Sequence, residues 1–501
     1  MSGQVKDSVT ITADGAVEVE VRGCDCEEYL RFLSDRMYVS CNNSVYELIQ
    51  EASIMKTFNT IFLSLLIIII SSCSKDEPTS PNQSGIPSKP KNLNPKYEDS
   101  IVVLKWETPD NTGSPIITKY LIYRKSGSSS YENIGFTVYN TTTYKDTSVI
   151  ILNSYSYYVT AINTDGESEK SNEISATPYS FGFNGRVNSL AVNGNDVYAG
   201  GEFTSAGGVS AINIAKWNGT NWSALGSGLN GTVRSIAING NDIYAGGYFT
   251  TAGGVSANNI AKWNGSNWSA LGSGVNDYVN AIGVSGNDVY AGGQFTIAGG
   301  GSAYNIAKWN GTNWSALGSG LNGSVNAIGV SGNDVYAGGV FTIAGGVSAN
   351  RIAKWNGSSW SALGSGVNDY VNAIGVSGSD VYAGGVFSIA GGISANSIAK
   401  WNGSSWSAFG SGLYGTVSSI SLNGNDVYAG GSFLGAGGVS ANRIAKWNGS
   451  SWSALGNGLN YKVYALEIIG NDVYTGGEFS IAGGQSAKKI AKWNGSEWSG
   501  F

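Results

Sequence analysis

From residue 180 onward, short runs of alternating apolar and polar residues follow one another at regular distances. In one unit, "VNAIGVSG" (325–332) and "NDVYAGGVFT" (333–342) lie on either side of a Gly-Asn turn. "NRIAKWNG" (350–357) and "SSWSALGSG" (358–366) meet at an Asn-Gly pair, which favours a type I′ hairpin turn. Because a period of two residues is typical of strands, each unit is predicted to contain four short strands.

The unit recurs every 46 residues, so residues 180–501 contain seven copies, and they contain no proline. Helical repeats are excluded, because glycine is too dense and no apolar period of a helix is present. Four strands per repeat with periodic glycine and aromatic residues are typical of a β-propeller blade, and propellers usually have about four to eight blades. The copies are marked by the tryptophan of a Lys-Trp-Asn-Gly sequence, at Trp217, Trp263, Trp309, Trp355, Trp401, Trp447 and Trp493.

The unit resembles the blades of the kelch and galactose-oxidase family. As in that family, a double glycine ends the second strand (Gly338-Gly339), an aromatic residue stands in the third (Trp355) and a tryptophan in the fourth (Trp360). The third-strand residue departs from the family's usual tyrosine. The oxidase of that family needs histidines for its copper site, and this chain has none. The resemblance therefore implies the fold and not the oxidase activity.

Residues 87–178 have a different character, because β-branched and aromatic residues alternate with polar ones between turn clusters. About seven short strands predict an antiparallel sandwich. The segment resembles a fibronectin type III domain: Trp106 matches the family's early core tryptophan, and Tyr155 stands where its tyrosine corner falls. We expect a spacer module, with direct ligand recognition as the alternative. The predicted fold class is all-β, a fibronectin type III β-sandwich followed by a seven-bladed β-propeller of four-stranded blades.

Residues 55–73 have the order of a secretory signal: Met55, a lysine, an apolar run of about ten residues, small residues and Cys73. The run is too short to span a bilayer, and its end resembles a bacterial lipobox. We expect a lipid on Cys73 to anchor the protein to a bacterial outer membrane, at the cell surface, with residues 74–86 as a flexible tether. Residues 1–54 are a doubtful extension, interpreted as a misassigned start, in which residues 22–38 favour a short helix.

Composition excludes several classes of chemistry. The chain has no histidine, and Cys73 is the last of its four cysteines, so residues 74–501 can form no disulfide, no His or Cys metal site and no Ser-His or Cys-His catalytic pair. A net charge of −6 with 13% charged residues gives no basic footprint for nucleic acid. We therefore expect no cofactor, no metal, no nucleic-acid partner and no enzymatic activity, and we expect a monomer.

Connection lengths distinguish the two faces of the propeller. In an antiparallel blade the first and third connections share one face, and here both are tight. The second connection and the blade-to-blade loop open on the other face and are long, and recognition is commonly carried by such loops. Residues that break the repeat fall there, with neutral drift on a tolerant surface as the alternative. The ligand-binding candidates are Arg186, Glu202, Tyr248, Asp277, Tyr278, Gln294, Tyr304, Asp369, Tyr370, Tyr414, Tyr461, Lys462, Glu478 and Lys488.

The charged residues that do repeat are interpreted as scaffold. The aspartate after each Gly-Asn or Gly-Ser is expected to bond to the backbone of its own turn, and a lysine beside each third-strand tryptophan balances its charge. The asymmetric carboxylates are Glu202, Glu478, Asp277 and Asp369, and nothing in the sequence brings them together.

Three functions are compatible with this pattern. The first is a non-enzymatic binding or adhesion module for glycan or protein ligands, because exposed tyrosines beside polar residues suit sugar rings and protein interfaces. The second is a polysaccharide lyase or hydrolase that uses loop Asp, Glu, Tyr and Arg residues. The third is a structural display platform without a ligand of its own.

Overall fold

The computed structural model describes residues 85–98, 100–150, 153–178 and 182–501, together with the backbone of five strands between residues 8 and 48. Every regular element in these ranges is a β-strand. The chain divides into two compact units, Met1–Gln83 and Ser84–Phe501. The predicted signal sequence, its Cys73 and the tether up to residue 84 lie outside the described residues.

The first unit contains an antiparallel sheet whose five strands lie in chain order: β1 (Ser8–Ile11), β2 (Val17–Val21), β3 (Glu28–Leu33), β4 (Arg36–Cys41) and β5 (Ser44–Leu48). The short helix expected for residues 22–38 is therefore wrong. Leu33 pairs with Arg36, so only two residues join β3 and β4, a length typical of a hairpin. A segment that favours a helix when it is considered alone can form a strand when a neighbouring segment pairs with it.

The second unit begins with a β-sandwich of seven strands: β6 (Lys91–Glu98), β7 (Ile101–Glu107), β8 (Lys119–Ser126), β9 (Glu132–Val138), β10 (Thr143–Asp146), β11 (Tyr155–Ile162) and β12 (Ile174–Ala176). One sheet has the order β10-β7-β6 and the other β12-β11-β8-β9. Trp106 is fully buried, and its ring meets that of Tyr120 edge-on at 5.4 Å. The hydroxyl of Tyr155 accepts a hydrogen bond from the N–H of Ile150 at 2.9 Å, which is a tyrosine-corner contact. Both residues therefore have the roles that the sequence predicted.

The first propeller blade contains β13 (Arg186–Asn193), β14 (Asp196–Glu202), β15 (Ser205–Ala206), β16 (Val209–Ser210), β17 (Ile214–Trp217) and β18 (Trp222–Ala224). Strands β13, β14, β17 and β18 form an antiparallel sheet in that order, which confirms the predicted four strands. Strands β15 and β16 form a separate two-stranded ladder inside the second connection. The sequence did not predict this ladder, because strands of two residues are too short to show a period.

Six further blades have the same order of four strands and a ladder. Blades 2 and 3 are β19 (Thr232–Asn239), β20 (Asp242–Tyr248), β21 (Thr251–Ala252), β22 (Val255–Ser256), β23 (Ile260–Trp263), β24 (Trp268–Ala270), β25 (Val279–Ser285), β26 (Asp288–Gly293), β27 (Ile297–Ala298), β28 (Gly301–Ser302), β29 (Ile306–Trp309) and β30 (Trp314–Ala316). Blades 4 and 5 are β31 (Val325–Ser331), β32 (Asp334–Gly339), β33 (Ile343–Ala344), β34 (Val347–Ser348), β35 (Ile352–Trp355), β36 (Trp360–Ala362), β37 (Val371–Ser377), β38 (Asp380–Gly385), β39 (Ile389–Ala390), β40 (Ile393–Ser394), β41 (Ile398–Trp401) and β42 (Trp406–Ala408). Blades 6 and 7 are β43 (Val417–Asn423), β44 (Asp426–Gly431), β45 (Gly435–Ala436), β46 (Val439–Ser440), β47 (Ile444–Trp447), β48 (Trp452–Ala454), β49 (Val463–Ile469), β50 (Asp472–Gly477), β51 (Ile481–Ala482), β52 (Gln485–Ser486), β53 (Ile490–Trp493) and β54 (Trp498–Ser499).

The blades close into a ring around the first strands. The first strand of each blade contacts the first strands of both neighbours, and β13 contacts β49 as it contacts β19. Blades 1 and 7 each build their four strands from their own repeat, so they meet at an in-register seam without an exchanged strand. At this seam the N–H of Gly182 donates to the carbonyl of Phe501 at 3.1 Å, as Gly228 donates to Leu225 at 3.1 Å within the ring.

Neighbouring blades approach each other closely at the double glycine that ends the second strand. A Cβ on Gly246 would lie 2.5 Å from Cγ1 of Val279 in the next blade. Across the seam, a Cβ on Gly476 would lie 2.5 Å from Cγ1 of Val187. Both valines are fully buried, so a side chain at these glycines would displace the core between the blades.

The turn between the third and fourth strands is not the expected type I′ turn. In blade 4, Trp355 pairs with Trp360, so four residues form the loop. Gly357 has a φ of 97°, whereas Asn356 is not among the residues with positive φ, and a type I′ turn requires positive φ at both central residues. The side chain of Asn356 instead accepts hydrogen bonds from the N–H groups of Ser358 and Ser359, at 2.9 Å each. The asparagine therefore closes the loop with its side chain.

The repeated aspartates have a partner that the sequence interpretation lacked. Asp196 lies 2.6 Å from the ammonium group of Lys216 on the third strand, and the other six blades have the same pair at 2.6–3.0 Å. The ammonium group of Lys216 also lies 5.7 Å from the ring centre of Tyr198. These pairs are partly exposed and make the short-loop face a ring of seven equivalent, neutral units.

Trp268→Phe should destabilise the propeller more than Trp222→Phe does. The indole N–H of Trp268 donates to the carbonyl of Leu225 in the preceding blade at 2.8 Å, and the fourth-strand tryptophans of blades 3 to 7 make the same bond. At the seam, the buried Nε1 of Trp222 has no hydrogen-bond partner among the described residues. Both changes remove similar ring volume, so the difference should be about 1 kcal/mol in the free energy of unfolding. Denaturant unfolding measures this difference, and equal losses would contradict it.

Candidate functional site

The long connections are held together on one face. Isolated bridges join each blade-to-blade loop to the ladder of the next blade, as Leu229 joins Ala252. The side chain of Asn230 accepts hydrogen bonds from the N–H groups of Thr250 and Thr251 at 2.9 Å each, and five other blades repeat this clip. We define the rim as the positions where this face meets the strands: the start of the first strand, the end of the second and the start of the third, with the loops beside them.

The sequence-predicted candidates occupy four kinds of position at the rim. Their positions are the start of the first strand (Arg186, Tyr278, Tyr370, Lys462), the end of the second strand (Glu202, Tyr248, Gln294, Glu478), the end of the second connection (Tyr304, Lys488) and the blade-to-blade loop (Asp277, Asp369, Tyr414, Tyr461). Five of the tyrosines are 47–56% exposed, which is unusual for so many large rings on one surface. The candidates do not form one pocket, but several of them form clusters at blade junctions.

The first cluster lies at the seam between blades 7 and 1. Arg186 forms an ion pair with Glu202 at 2.7 Å and reaches to within 3.9 Å of Glu478 of blade 7. Lys489 donates a hydrogen bond to the carbonyl of Glu478 at 2.8 Å. These residues line a shallow depression of about 520 Å³ together with Tyr461. Two of the four asymmetric carboxylates therefore meet around one guanidinium group, which the sequence could not indicate.

Tyr464 belongs to the same cluster although sequence analysis did not select it. Burial, with the nearby Glu478 carboxylate as a second cause, raises the pKa of Tyr464 to about 12. A hydrogen bond between this hydroxyl and the Glu478 carboxylate contributes to this rise in pKa, so Tyr464 is part of the polar contacts of the cluster.

The second cluster lies between blades 2 and 3. The rings of Tyr248 and Tyr278 stack at 4.4 Å with an angle of 25° between their planes. Arg234 lies over the Tyr278 ring at 4.7 Å and donates a hydrogen bond to Asn280 at 2.9 Å. Tyr248 and Arg234 are exposed, so the cluster offers an aromatic surface with a guanidinium group beside it.

The third cluster lies between blades 4 and 5. The guanidinium group of Arg351 is 5.6 Å from the ring centre of Tyr370 and donates a hydrogen bond to the carbonyl of Val340 at 2.8 Å. Arg351 also lines a depression of about 370 Å³ between the loops of the two blades. Its Nε atom is buried and has no hydrogen-bond partner among the described residues.

The remaining carboxylates do not join the seam cluster. The side chain of Asp277 accepts a hydrogen bond from the N–H of Tyr278, and Asp369 accepts one from Tyr370, at 2.8 Å each. Their role is therefore to fix the backbone just before two rim tyrosines. No group of three or more Asp, Glu, His or Cys side chains that could hold a metal ion occurs within the described part of the chain.

Sequence analysis missed four rim cations: Arg234, Arg351, Arg443 and Lys489. Arg351, Arg443 and Lys489 stand directly before the third strand of their blades, where blades 1 to 3 have asparagine. The residue at this position has a positive φ in all seven blades, from 62° to 69°. In blade 2 this asparagine, Asn259, bridges Phe249 and Val275. The signal that could have found these cations is their departure from the 46-residue repeat, the same signal that identified the other candidates.

Tyr414 replaces the asparagine that clips the loop in the other six blades. It is 56% exposed, and its ring lies over Gly435 of the neighbouring ladder. Tyr304 similarly stands where Asn258 and Asn350 bond to the next loop at 3.0 Å. Both tyrosines thus replace side chains that stabilise the loops.

The first strand of blade 7 carries Glu467 where the other blades have a small residue, namely Ala191, Ala237, Gly283, Gly329, Gly375 or Ser421. A Cβ at Gly283 would lie 2.6 Å from the side chains of Ile328 and Val330 in the next blade. Glu467 is half-buried, and its partial removal from water raises its pKa to about 7, which a hydrogen bond from the N–H of Ile468 partly opposes.

Comparison with protein families supports the architecture. Residues 162–319, fewer than a third of the chain, match the family described as "Rax2 C-terminal beta propeller domain". A β-propeller suggests a binding or structural module. No curated protein matches the chain. Among the residues that the structure describes, no helix is long and apolar enough to cross a membrane.

Several solved structures are similar over a short part of the chain. The twitchin kinase region from C. elegans is 21% identical with a TM-score of 0.17, and the match covers 19% of this chain and 18% of that one. An Fn3-like protein from Clostridium thermocellum is 24% identical with a TM-score of 0.16, covering 18% of this chain and 94% of that one. A beta-1,2-glucanase from Parabacteroides distasonis is 25% identical with a TM-score of 0.16, covering 19% and 12%. The chain thus spans less than a fifth of the twitchin and glucanase chains.

Tyr414→Asn should stabilise the propeller. Asparagine at this position can accept the N–H groups of Leu434 and Gly435, as Asn230 accepts those of Thr250 and Thr251. The gain should be about 1 kcal/mol, which corresponds to a rise of about 2 °C in the midpoint of thermal unfolding. The reciprocal change Asn230→Tyr should lower the midpoint. A lower midpoint for Tyr414→Asn would show that the tyrosine ring holds the loop better than the clip.

Glu467→Ser should change how stability depends on pH. Because the pKa of Glu467 is raised to about 7 in the folded protein, the folded state binds this proton more tightly than the unfolded chain does. The stabilisation that Glu467 contributes is therefore greatest at low pH and is lost as the pH rises through about 7. Between about pH 5 and pH 8, the unfolding midpoint of the parent should fall relative to that of the variant. Glu497→Ser, in a short turn where blades 4 to 6 have serine, is the control. A midpoint difference independent of pH would contradict the expected titration.

Proposed function

We propose that the propeller is a kelch-type, non-enzymatic binding module that takes glycan or protein ligands through its rim. The protein would act at a bacterial cell surface, held by a lipid on Cys73, with the fibronectin-like sandwich as a spacer. The observation that carries the proposal is the stacked pair Tyr248 and Tyr278 with Arg234 over it. Tyr248 is exposed and Tyr278 is half-buried. An exposed ring beside a hydrogen-bonding cation suits a ligand with an apolar face and polar edges.

The distribution of variation supports the same proposal. The short-loop face repeats one neutral lysine–aspartate pair seven times and varies little apart from Glu497 in a turn of blade 7, whereas the rim differs from blade to blade. At Tyr414 and Tyr304 an exposed ring replaces an asparagine that bonds to a loop in other blades. A protein that gives up stabilising contacts at a surface commonly does so for function.

A glycan array and a pull-down from surface proteins test the proposal. The probe is the purified chain, compared with the triple variant Tyr248→Val, Tyr278→Thr, Tyr370→Ser. Other blades carry these residues at the same positions (Val340, Thr232, Ser324), so folding should be retained. The parent should bind at least one ligand that the variant loses. The control is Asn267→Ser on the short-loop face, where Ser359 is the equivalent residue. No ligand in either assay with folded protein would reject the proposal in favour of a structural platform.

A polysaccharide-acting enzyme is the second candidate, and the seam cluster is the observation that favours it. Glu202 and Glu478 both contact Arg186 in a depression that also contains Tyr461. Two carboxylates in one pocket are the minimum for acid–base chemistry, although the same contacts form an ordinary ion-pair network. Glu202→Gln with Glu478→Gln should abolish any measured glycan turnover, and unchanged turnover would exclude these residues.

A further inference from the structure

The two faces of the propeller differ in charge. On the short-loop face, seven lysines pair with seven aspartates. Every other cation of residues 182–501 lies at the rim, namely Arg186, Arg234, Arg351, Arg443, Lys462, Lys488 and Lys489. Four carboxylates lie at the rim: Glu202, Asp277, Asp369 and Glu478. The rim therefore has three more positive than negative groups, although the whole chain has a net charge of −6.

Three of the seven rim cations lie beside tyrosine rings. The distances from the charged group to the ring centre are 4.7 Å for Arg234 and Tyr278, 5.6 Å for Arg351 and Tyr370, and 5.9 Å for Lys462 and Tyr461. Two pairs join neighbouring blades, 2 with 3 and 4 with 5, and the third lies within blade 7, so a cation beside a tyrosine occurs three times on one face. Within the seam cluster, Arg186 is instead paired with Glu202 and is not part of this set.

We infer that the rim binds an anionic polysaccharide, whose carboxylate or sulfate groups pair with these cations while sugar rings pack on the neighbouring tyrosines. This inference rests on the proposed binding function and names the class of ligand. The excess positive charge supplies the complementarity for an anion, and the aromatic faces supply contact with the C–H face of a sugar. Each pair alone is a small, exposed site, so a repeating polymer that engages several pairs would gain by avidity.

A nucleic acid fits the rim less well than an anionic polysaccharide does. Its phosphates are dense along the backbone and would meet the four rim carboxylates as well as the cations. A polysaccharide with one anionic group per sugar or per disaccharide places its charges further apart than the phosphates of a nucleic acid duplex. Single-stranded DNA therefore serves as the polyanion control in the experiment.

Binding of the purified full chain to four immobilised polymers tests the inference: polygalacturonate, κ-carrageenan, neutral dextran and single-stranded DNA. Polygalacturonate and κ-carrageenan, which has one sulfate per disaccharide, distinguish a carboxylate ligand from a sulfate ligand, and either one supports the inference. Binding should weaken as sodium chloride rises from about 50 to about 500 mM, because exposed charges are screened. Neutral dextran should not bind.

A charge variant built from residues of the other blades isolates the cations. Arg234→Asn, Arg351→Asn and Lys462→Thr introduce the residues found at Asn188, Asn259 and Thr232, so the backbone at each site is already compatible. The combined variant should lose at least about tenfold in affinity for the anionic polymer. The matched control is Lys262→Gln with Lys308→Gln and Lys400→Gln on the short-loop face, which also removes three positive charges and should bind like the parent.

Three outcomes would overturn the inference. A neutral glycan that binds the parent and the charge variant equally would reject the anionic class while leaving the proposed function intact. Equal binding of DNA and polygalacturonate, unaffected by Tyr278→Thr with Tyr370→Ser, would reduce the rim to a general polyanion surface. Absence of any glycan or protein ligand, with folded protein, would reject the proposed function itself.

Discussion

The close approach of neighbouring blades at the double glycine is the constraint on which the propeller depends. The space beside Gly246 is filled by Val279 of the next blade, and the same fit recurs across the seam between Gly476 and Val187. A blade cannot bury this surface alone, so its stability comes from its neighbours. Because the contact is made identically at every junction, the glycines and valines that form it repeat without change.

The rim residues do not take part in this contact between blades, so they can vary from blade to blade. Some of these changes remove local hydrogen bonds. The residue before the third strand has positive φ in every blade, and asparagine adopts this conformation more readily than most residues. The Asn259 side chain also accepts a hydrogen bond from the N–H of Phe249 and donates one to the carbonyl of Val275. Blades 4, 6 and 7 have Arg351, Arg443 and Lys489 at this position. Arg351 retains only bonds to the carbonyls of Val340 and Phe341 and leaves its Nε atom buried without a partner among the described residues. At the residue before the third strand, the blades that gain a positive charge therefore lose the hydrogen bonds of the asparagine and place a long side chain at positive φ.

The two faces of the propeller therefore differ in how their charged groups are paired. On the short-loop face, lysine and aspartate of adjacent strands form the same neutral pair in every blade, and Glu497 is the one further charged group there. On the rim, Arg234 lies over a tyrosine ring, Arg351 bonds to a backbone carbonyl, and Arg186 joins Glu202 and Glu478 at the seam. The seam also departs from the repeat at Glu467, where the other blades have a small residue.

The sequence by itself determined the architecture, because period-two alternation, the 46-residue repeat and paired glycines are local signals of strands that pack on copies of themselves. The roles of Trp106 and Tyr155 in the sandwich were predicted from the resemblance of their strands to a fibronectin type III domain, and the buried ring and the hydroxyl contact agree with them. Tertiary structure alone decided which distant residues meet. It brought Glu202 and Glu478, which are 276 residues apart, to one arginine, and it gave each repeated aspartate a lysine from another strand. It also converted the expected helix of residues 22–38 into a hairpin. Pairing between strands and ring closure depend on partners elsewhere in the chain, and no local pattern contains that information.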